Sequence, residues 1–510
     1  MSDFASWVIG PVLVPAVAAA VILTAMRHRL SLSRTTAFLV CFMLIGIGAA
    51  MVGHASTGAI EHYAVGSWSA PFGIVLVLDR LSALMVLLTS LLALAVLTYA
   101  VATGLDRKGW HFHPLFQFQL LGLNGAFLTG DVFNLFVFFE VMLIASYGLM
   151  LHAQGQARLK AGVHYVIINL AGSTLFLVAV GVLYGVTGTL NMADMAVRVA
   201  VAPVGDQALI KAGGLLLVAV FALKAALVPL HFWLPGAYAS TSGAAAALFA
   251  VMTKVGAYCI LRFTTLVFGE ASGPDLAFSP GAWLLPAALM TAGLGFIGVA
   301  GSRGLREMAA FSVVGSMGVL LSAVAVFRAE AASAALYYLV HSTLAVAALF
   351  LIVDMIATRR GEYGDTLTPG PRFARMEPLS LLFFLAAIAV VGLPPLSGFV
   401  GKLYVLDAVH GAPGWGWIWA VVLGVTLLGL IAFSRAGSLL FWRGAAETKK
   451  VKASEQTGGP MAAAAAAGLL GLLALLTLFA GPVTDYTTAT SEQLFSPEIY
   501  IRAVLQGAPS

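Results

Sequence analysis

GDVFNLFVFFEVMLIASYGL, residues 130–149, decides how the chain is read. It is long and apolar enough to cross a bilayer, which takes about 20 residues, yet Glu140 stands at its centre. Phe136, Val137, Phe138 and Phe139 precede the glutamate, and Val141, Met142, Leu143 and Ile144 follow it. A carboxylate at bilayer depth is expensive unless it is paired, neutralised or wetted. The segment therefore reads as a membrane helix with a working acid, and compensating groups are expected on other helices.

The whole chain fits that environment. Of its 510 residues 60% are hydrophobic and only 10% charged, with a mean hydropathy of +0.97. Soluble domains carry roughly 25% charged residues, so the chain reads as an all-α polytopic membrane protein with no sizeable soluble domain. Cys41 and Cys259 both lie in apolar runs, which supports neither a disulfide framework nor a thiolate metal site. The first apolar run, Trp7 to Met26, is followed by its basic cluster of Arg27, Arg29 and Arg34. A cleavable signal peptide has the reverse order, so this run is expected to be a retained span.

Apolar runs place about fourteen helices at 7–26, 35–53, 79–102, 113–129, 131–152, 161–186, 208–239, 242–268, 281–300, 306–327, 330–356, 377–410, 415–441 and 460–481. Loop charge follows that count. Basic residues gather in alternate loops: Arg27/Arg29/Arg34, Arg107/Lys108, Arg158/Lys160, Arg303/Arg306, Arg359/Arg360/Arg372/Arg375 and Arg443/Lys449/Lys450/Lys452. The intervening loops hold few, and the positive-inside rule then puts both termini outside, in the periplasm of a Gram-negative cell. The basic pI is thus a topology signal, with no nucleic-acid partner implied.

Two segments are too long and too broken for simple spans. Pro229 and Pro235 interrupt GLLLVAVFALKAALVPLHFWLPGAYAS, which carries Lys224. Gly392, Pro394, Pro395, Gly398 and Gly401 interrupt LLFFLAAIAVVGLPPLSGFVGKLYVLDAVH, which carries Lys402. Proline removes a helix hydrogen bond, and freed backbone survives at membrane depth only beside protein or water. Two broken helices five apart predict structural repeats around a transport path. The expected organisation is three helices (1–112), two inverted five-helix units (113–268 and 281–441), a last helix (460–481) and a periplasmic tail (482–510).

The buried charges share a depth. At 1.5 Å per residue Glu140 lies roughly 14 Å into its span, Lys254 about 18 Å and His341 about 16 Å. Lys224 and Lys402 lie at the two breaks, with Lys224 the obvious partner for Glu140. A static Glu140–Lys224 pair that fixes packing is the plainer reading, but it leaves Lys254 and Lys402 without an acid. Burial favours the neutral amine and a nearby carboxylate favours the charged one, so a string of such groups reads as a proton relay. His231, at the first break, reads equally as a relay group or as a cap for freed carbonyls. Asp79, in VLDRLSALM, and Asp131 read as helix caps, while Asp354 and Arg435 lie near span ends and reach the interface.

At this point LLGLNGAFLTGDVFNLFVFFEVMLIASYGL, YVIINLAGSTLFLVAVGVLYGVTGTLNMADMA, FALKAALVPLHFWLPGAYA and the terminal LFSPEIYIRAVLQG closely resemble the D subunits of Mrp-type multisubunit monovalent cation/proton antiporters. That family is related to the proton-pumping antiporter-like subunits of respiratory complex I. The resemblance implies fourteen helices with inverted five-helix repeats, broken seventh and twelfth helices, and a hydrated polar axis across the membrane centre. It maps the family's relay onto Glu140, Lys224, Lys254 and, in GFVGK, Lys402. A lysine common in relatives four residues after His341 is replaced here by Ala345, and Gly304 stands where an aspartate is common. The implied function is exchange of protons for Na⁺ or K⁺ in a bacterial inner membrane, by a hetero-oligomer with other Mrp subunits and with no cofactor. The alternative is a proton-pumping membrane subunit of a complex I-like or membrane-bound hydrogenase-like enzyme.

Overall fold

A computed structural model describes residues 4–153, 155–443 and 458–505. The protein is nearly all helical, and twelve helices among the described residues are long and apolar enough to cross a membrane. The chain opens with α1 (Gly10–Val21), extended by a π-helical turn at Ile22–Met26, and α2 (Leu30–Ala55). A hairpin of β1 (Glu61–Ala64) and β2 (Val75–Leu78) leads into α3 (Arg80–Ala102), α4 (Phe112–Leu128), α5 (Val132–Leu151) and α6 (Gln156–Thr187). A short α7 (Met192–Ala200) precedes α8 (Val204–Lys224), α9 (Trp233–Ser240), α10 (Gly243–Phe249) and α11 (Met252–Val267). Then come α12 (Gly281–Gly301), α13 (Leu305–Val324), α14 (Ala329–Arg359), α15 (Met376–Val391), α16 (Ser397–Val409) and α17 (Trp415–Gly437). The chain closes with α18 (Gly459–Leu478), α19 (Ala480–Leu494) and α20 (Pro497–Leu505).

Helices sort by burial into an interior and a rim. The α10–α11 stretch is wholly buried and the apolar windows of α13 and α14 are 89% buried, against 33% for α1 and α2. A helix that is apolar all round belongs inside the bundle or in lipid, so Lys254 on α11 and His341 on α14 are interior residues.

Proline explains the two anticipated breaks. α8 stops at Lys224, and the backbone resumes helix only at Trp233. Two side chains take up the polar groups this frees: Val228 N–H donates to Thr291 Oγ1 at 2.9 Å, and Trp233 Nε1–H to Leu223 O at 3.1 Å. α15 ends at Gly392, whose φ of +80° is the left-handed cap that glycine adopts without strain. A third discontinuity, at Ala250–Val251, divides the expected 242–268 helix into α10 and α11 just before Lys254. Neither residue is a proline or glycine. Tyr238 O–H donates to Phe249 O at 2.9 Å, so one carbonyl at this interruption is satisfied from α9.

The last stretch is no loose tail. α19 folds back against α3, where Tyr486 O–H donates to Arg80 O at 2.9 Å and Gln493 Oε1 accepts from Arg80 N–H at 3.1 Å, and α20 packs on α7 and β1. The expected basic residues Lys449, Lys450 and Lys452, and the terminal Gln506 and Gly507 of the family-like motif, lie outside the described residues.

Asp79 caps α3 as expected, in a reciprocal box with Ser82. It also accepts from Arg262 Nη2 at 2.8 Å, in a pair whose side chains are 2% and 8% exposed. Removing one member of a buried pair strands the other charge, at roughly 3–5 kcal/mol. Asp79→Ala is therefore expected to lower the melting temperature of the detergent-purified protein sharply. Asp79→Leu with Arg262→Met should regain most of the loss. A single variant that melts like the wild type would show that the pair holds nothing together.

Candidate functional site: a buried string of ionisable side chains

α6 organises the first half of the string. Asn169 and Ser173 are four residues apart, which puts them on one face of a helix. Ser173 Oγ–H donates to Glu140 Oε1 from that face. One turn away, Lys224 Nζ donates to Asn169 Oδ1 at 3.0 Å. Glu140 is half-buried on α5, and Lys224 is the buried last residue of α8. The two do not form the direct ion pair that the sequence invited. Each is held instead by a neutral dipole of α6. Lys224 Nζ also lies 5.9 Å from the centroid of the Phe139 ring, the residue before the glutamate.

Lys254 stands alone. It is fully buried near the start of α11, and its Nζ meets no hydrogen-bond partner among the described residues. A buried ammonium or amine without a protein partner is costly unless water reaches it. α11 packs against α14, which carries the buried His341.

The end of α15 organises the second half. His341 Nδ1 lies 2.9 Å from Ser397 Oγ and Nε2 lies 3.1 Å from Ala389 O. Lys402 Nζ donates to Val391 O and to Thr426 Oγ1, each at 2.7 Å. Ala389 and Val391 are in the last turn of α15; Ala389 O also accepts from Gly392 N–H at 3.1 Å, while Val391 O is freed by the break. A methyl at Gly398 would clash with Ala389 O and stand 2.8 Å from His341 Nε2, so glycine is what lets α16 approach this closely. His231 lies in the first break, half-buried, with Nδ1 buried and unpartnered among the described residues.

The charges at the helix ends are handled differently. Asp79 is paired with Arg262, Asp106 with Arg34 and His113, and Asp354 with Arg306 at 2.8 Å. Asp354 also accepts from Tyr99 O–H at 2.9 Å, while Asp131 caps α5 through Asn134 N–H at 2.7 Å. Counter-charges fix the periphery; hydroxyls, an amide and carbonyls hold the centre.

Sequence reasoning misses Asn169, Ser173, Ser397 and Thr426. For the first two a signal exists, an i, i+4 polar pair in an otherwise apolar helix. Thr426 offers none, because a threonine in a membrane helix ordinarily bonds its own backbone, as this one also does to Val422 O at 2.7 Å.

Comparison with known proteins identifies the family. Residues 129–430 match the transmembrane family described as NADH:quinone oxidoreductase/Mrp antiporter. The chain is 40% identical to the probable K(+)/H(+) antiporter D subunit of Rhizobium meliloti (strain 1021), over 97% of this chain and 96% of that protein. It is 37% identical to the Na(+)/H(+) antiporter D subunit of Bacillus subtilis (strain 168), over 98% and 99%. Among solved structures, a chain of the Mrp complex from Dietzia sp. DQ12-45-1b superposes with a TM-score of 0.87 at 30% identity, covering 99% of this chain and all of that one. A chain of respiratory complex I from Thermus thermophilus shares the fold, with a TM-score of 0.77 at 24% identity over 96% and 99%. With the broken helices and the central string of acid, lysines and histidine, these matches place the chain in the NADH:quinone oxidoreductase/Mrp antiporter family, on the branch of the antiporter D subunits.

Proposed function

We propose that the chain is the proton-conducting D subunit of a multisubunit antiporter that exchanges H⁺ for Na⁺ or K⁺. It works in a bacterial inner membrane beside other Mrp subunits, with both termini on the outer face. The proton passes through Glu140 and Lys224, then Lys254, His341 and Lys402, with His231 an accessory group at the first break. Residues 113–268 and 281–441 are the two inverted five-helix units that carry the two halves of this route. The last helix at 460–481 closes the bundle, and 482–510 lies on the outer side.

One observation carries the reading: Glu140, Lys224, His341 and Lys402 are held by neutral partners, and Lys254 by none among the described residues, while Asp79, Asp106 and Asp354 are clamped by counter-charges. A group locked in an ion pair must break that pair to change protonation, at several kcal/mol in a low-dielectric interior. A group held by a hydroxyl or a carbonyl keeps a partner in either state, because a hydroxyl both donates and accepts. Glu140 and Lys224 are each held by a neutral group of α6 rather than by each other. Each proton that crosses under the membrane potential carries about 2.3 kcal/mol per 100 mV.

The test is cation-induced dissipation of a pH gradient in everted vesicles that contain the complete set of subunits. Glu140→Ala is expected to abolish exchange while the complex still assembles. Ser173→Ala, which removes the glutamate's donor, should reduce exchange about tenfold, the size of one lost hydrogen bond to a charged group. Full exchange by an assembled Glu140→Ala complex would refute the relay.

The close approach of α16 to His341 gives a second test. Gly398→Ala should displace His341 from Ala389 and suppress exchange. Gly424→Ala, on α17 with nothing within 4 Å of the added methyl, should be silent. Equal activity in the two variants would show that the placement of His341 is immaterial.

A further inference from the structure

A cavity of about 320 Å³ opens at the basic end of the bundle, between the end of α1, the start of α2, the 105–110 turn and the start of α4. It lies apart from the relay. Asp106 forms its floor and is already spoken for: it accepts from Arg34 Nε at 2.6 Å and Nη2 at 2.8 Å, and lies 3.2 Å from His113 Nε2. Burial opposes its ionisation, but the hydrogen bonds from His113 and Arg34 prevail and hold the carboxyl down at about 2. Its negative charge is therefore spent inside the protein.

What remains facing the cavity is positive or hungry for a partner. The side chains of Arg27 and Arg107 are exposed at the rim and bond to no described residue. Arg29 and Lys108 stand beside them in sequence, and no other carboxylate among the described residues lines the cavity. The His113 side chain is 3% exposed, and its Nδ1 is buried without a partner among the described residues. With Nε2 on the carboxylate, Nδ1 is the ring nitrogen left without a partner. Trp110, 58% exposed, packs edge-on against His28 with ring centroids 4.4 Å apart. An exposed tryptophan at the end of membrane helices marks the headgroup level.

We propose that this cavity binds the phosphate of an anionic phospholipid. Arg27 and Arg107 engage the phosphate oxygens by charge-assisted hydrogen bonds. The acyl chains run along the rim helices past Leu23 and Leu32, which are 36% and 41% exposed. Basic pockets between membrane helices take anionic headgroups in this way, and the cavity is far too large for a monatomic ion. This inference does not rest on the antiport reading.

The experiment uses the full chain in its complex, in mixed micelles, with a photocrosslinkable phosphatidylglycerol and a matched phosphatidylcholine probe. Phosphatidylglycerol should label the 105–113 peptide, and Arg27→Gln with Arg107→Gln should cut that labelling about tenfold, to the phosphatidylcholine level. Equal labelling by both lipids in the unaltered protein would overturn the proposal, as would undiminished labelling of the double variant. If millimolar inorganic phosphate displaces the probe as well as unlabelled phosphatidylglycerol does, the site takes a free anion and the lipid assignment falls.

Discussion

A charge inside a bilayer needs company, and the kind of company decides what it can do. In this chain the mid-membrane groups are held by dipoles: Ser173 for Glu140, Asn169 for Lys224, Ser397 and Ala389 O for His341, Val391 O and Thr426 for Lys402. An ion pair of the Asp79–Arg262 kind would satisfy each group better and freeze it. With a neutral partner, no ion pair has to break when a group changes protonation.

Broken helices are the means. An intact helix consumes its own carbonyls and offers nothing to a neighbouring side chain. Ending α15 at Gly392 exposes the last carbonyls at membrane depth, where His341 and Lys402 collect them. Ending α8 at Lys224 lets that side chain reach across to α6. Burial then divides labour. The wholly buried α10–α11 stretch carries Lys254 at the centre of the string, while Glu140, on the half-buried α5, stands nearer the surface of this subunit.

Much of this is legible in the sequence because charge and proline are conspicuous in apolar runs. Glu140, Lys224, Lys254, His341 and Lys402 stand out without a structure, and Pro229, Pro394 and Pro395 mark the two long breaks. Quieter features are not legible. The interruption at Ala250–Val251 has no proline or glycine to announce it. The hairpin of β1 and β2 and the short helix α7 lie in loops that apolar periodicity ignores. Residues 482–505 lack a long apolar run, yet α19 is fixed to Arg80 and, through Ser491, to Ala329, and α20 packs on α7 and β1. Arg262 escapes notice because it sits close to a span end, where a cation is ordinary; its partner Asp79 reads only as a cap. The direct Glu140–Lys224 pair is the simplest inference from composition. The Asn169/Ser173 spacing marks a polar face on α6, but only three-dimensional placement reveals that this face lies against both Glu140 and Lys224.

The central claim is that Glu140 changes protonation because only neutral groups hold it. Infrared difference spectroscopy of the assembled complex across the pH range of exchange tests this most directly, with Glu140→Gln assigning the carboxyl band. A protonated-carboxyl band that rises and falls with pH, and is missing from the variant, is the predicted result. A Glu140 signal that stays constant through the whole range would contradict the account.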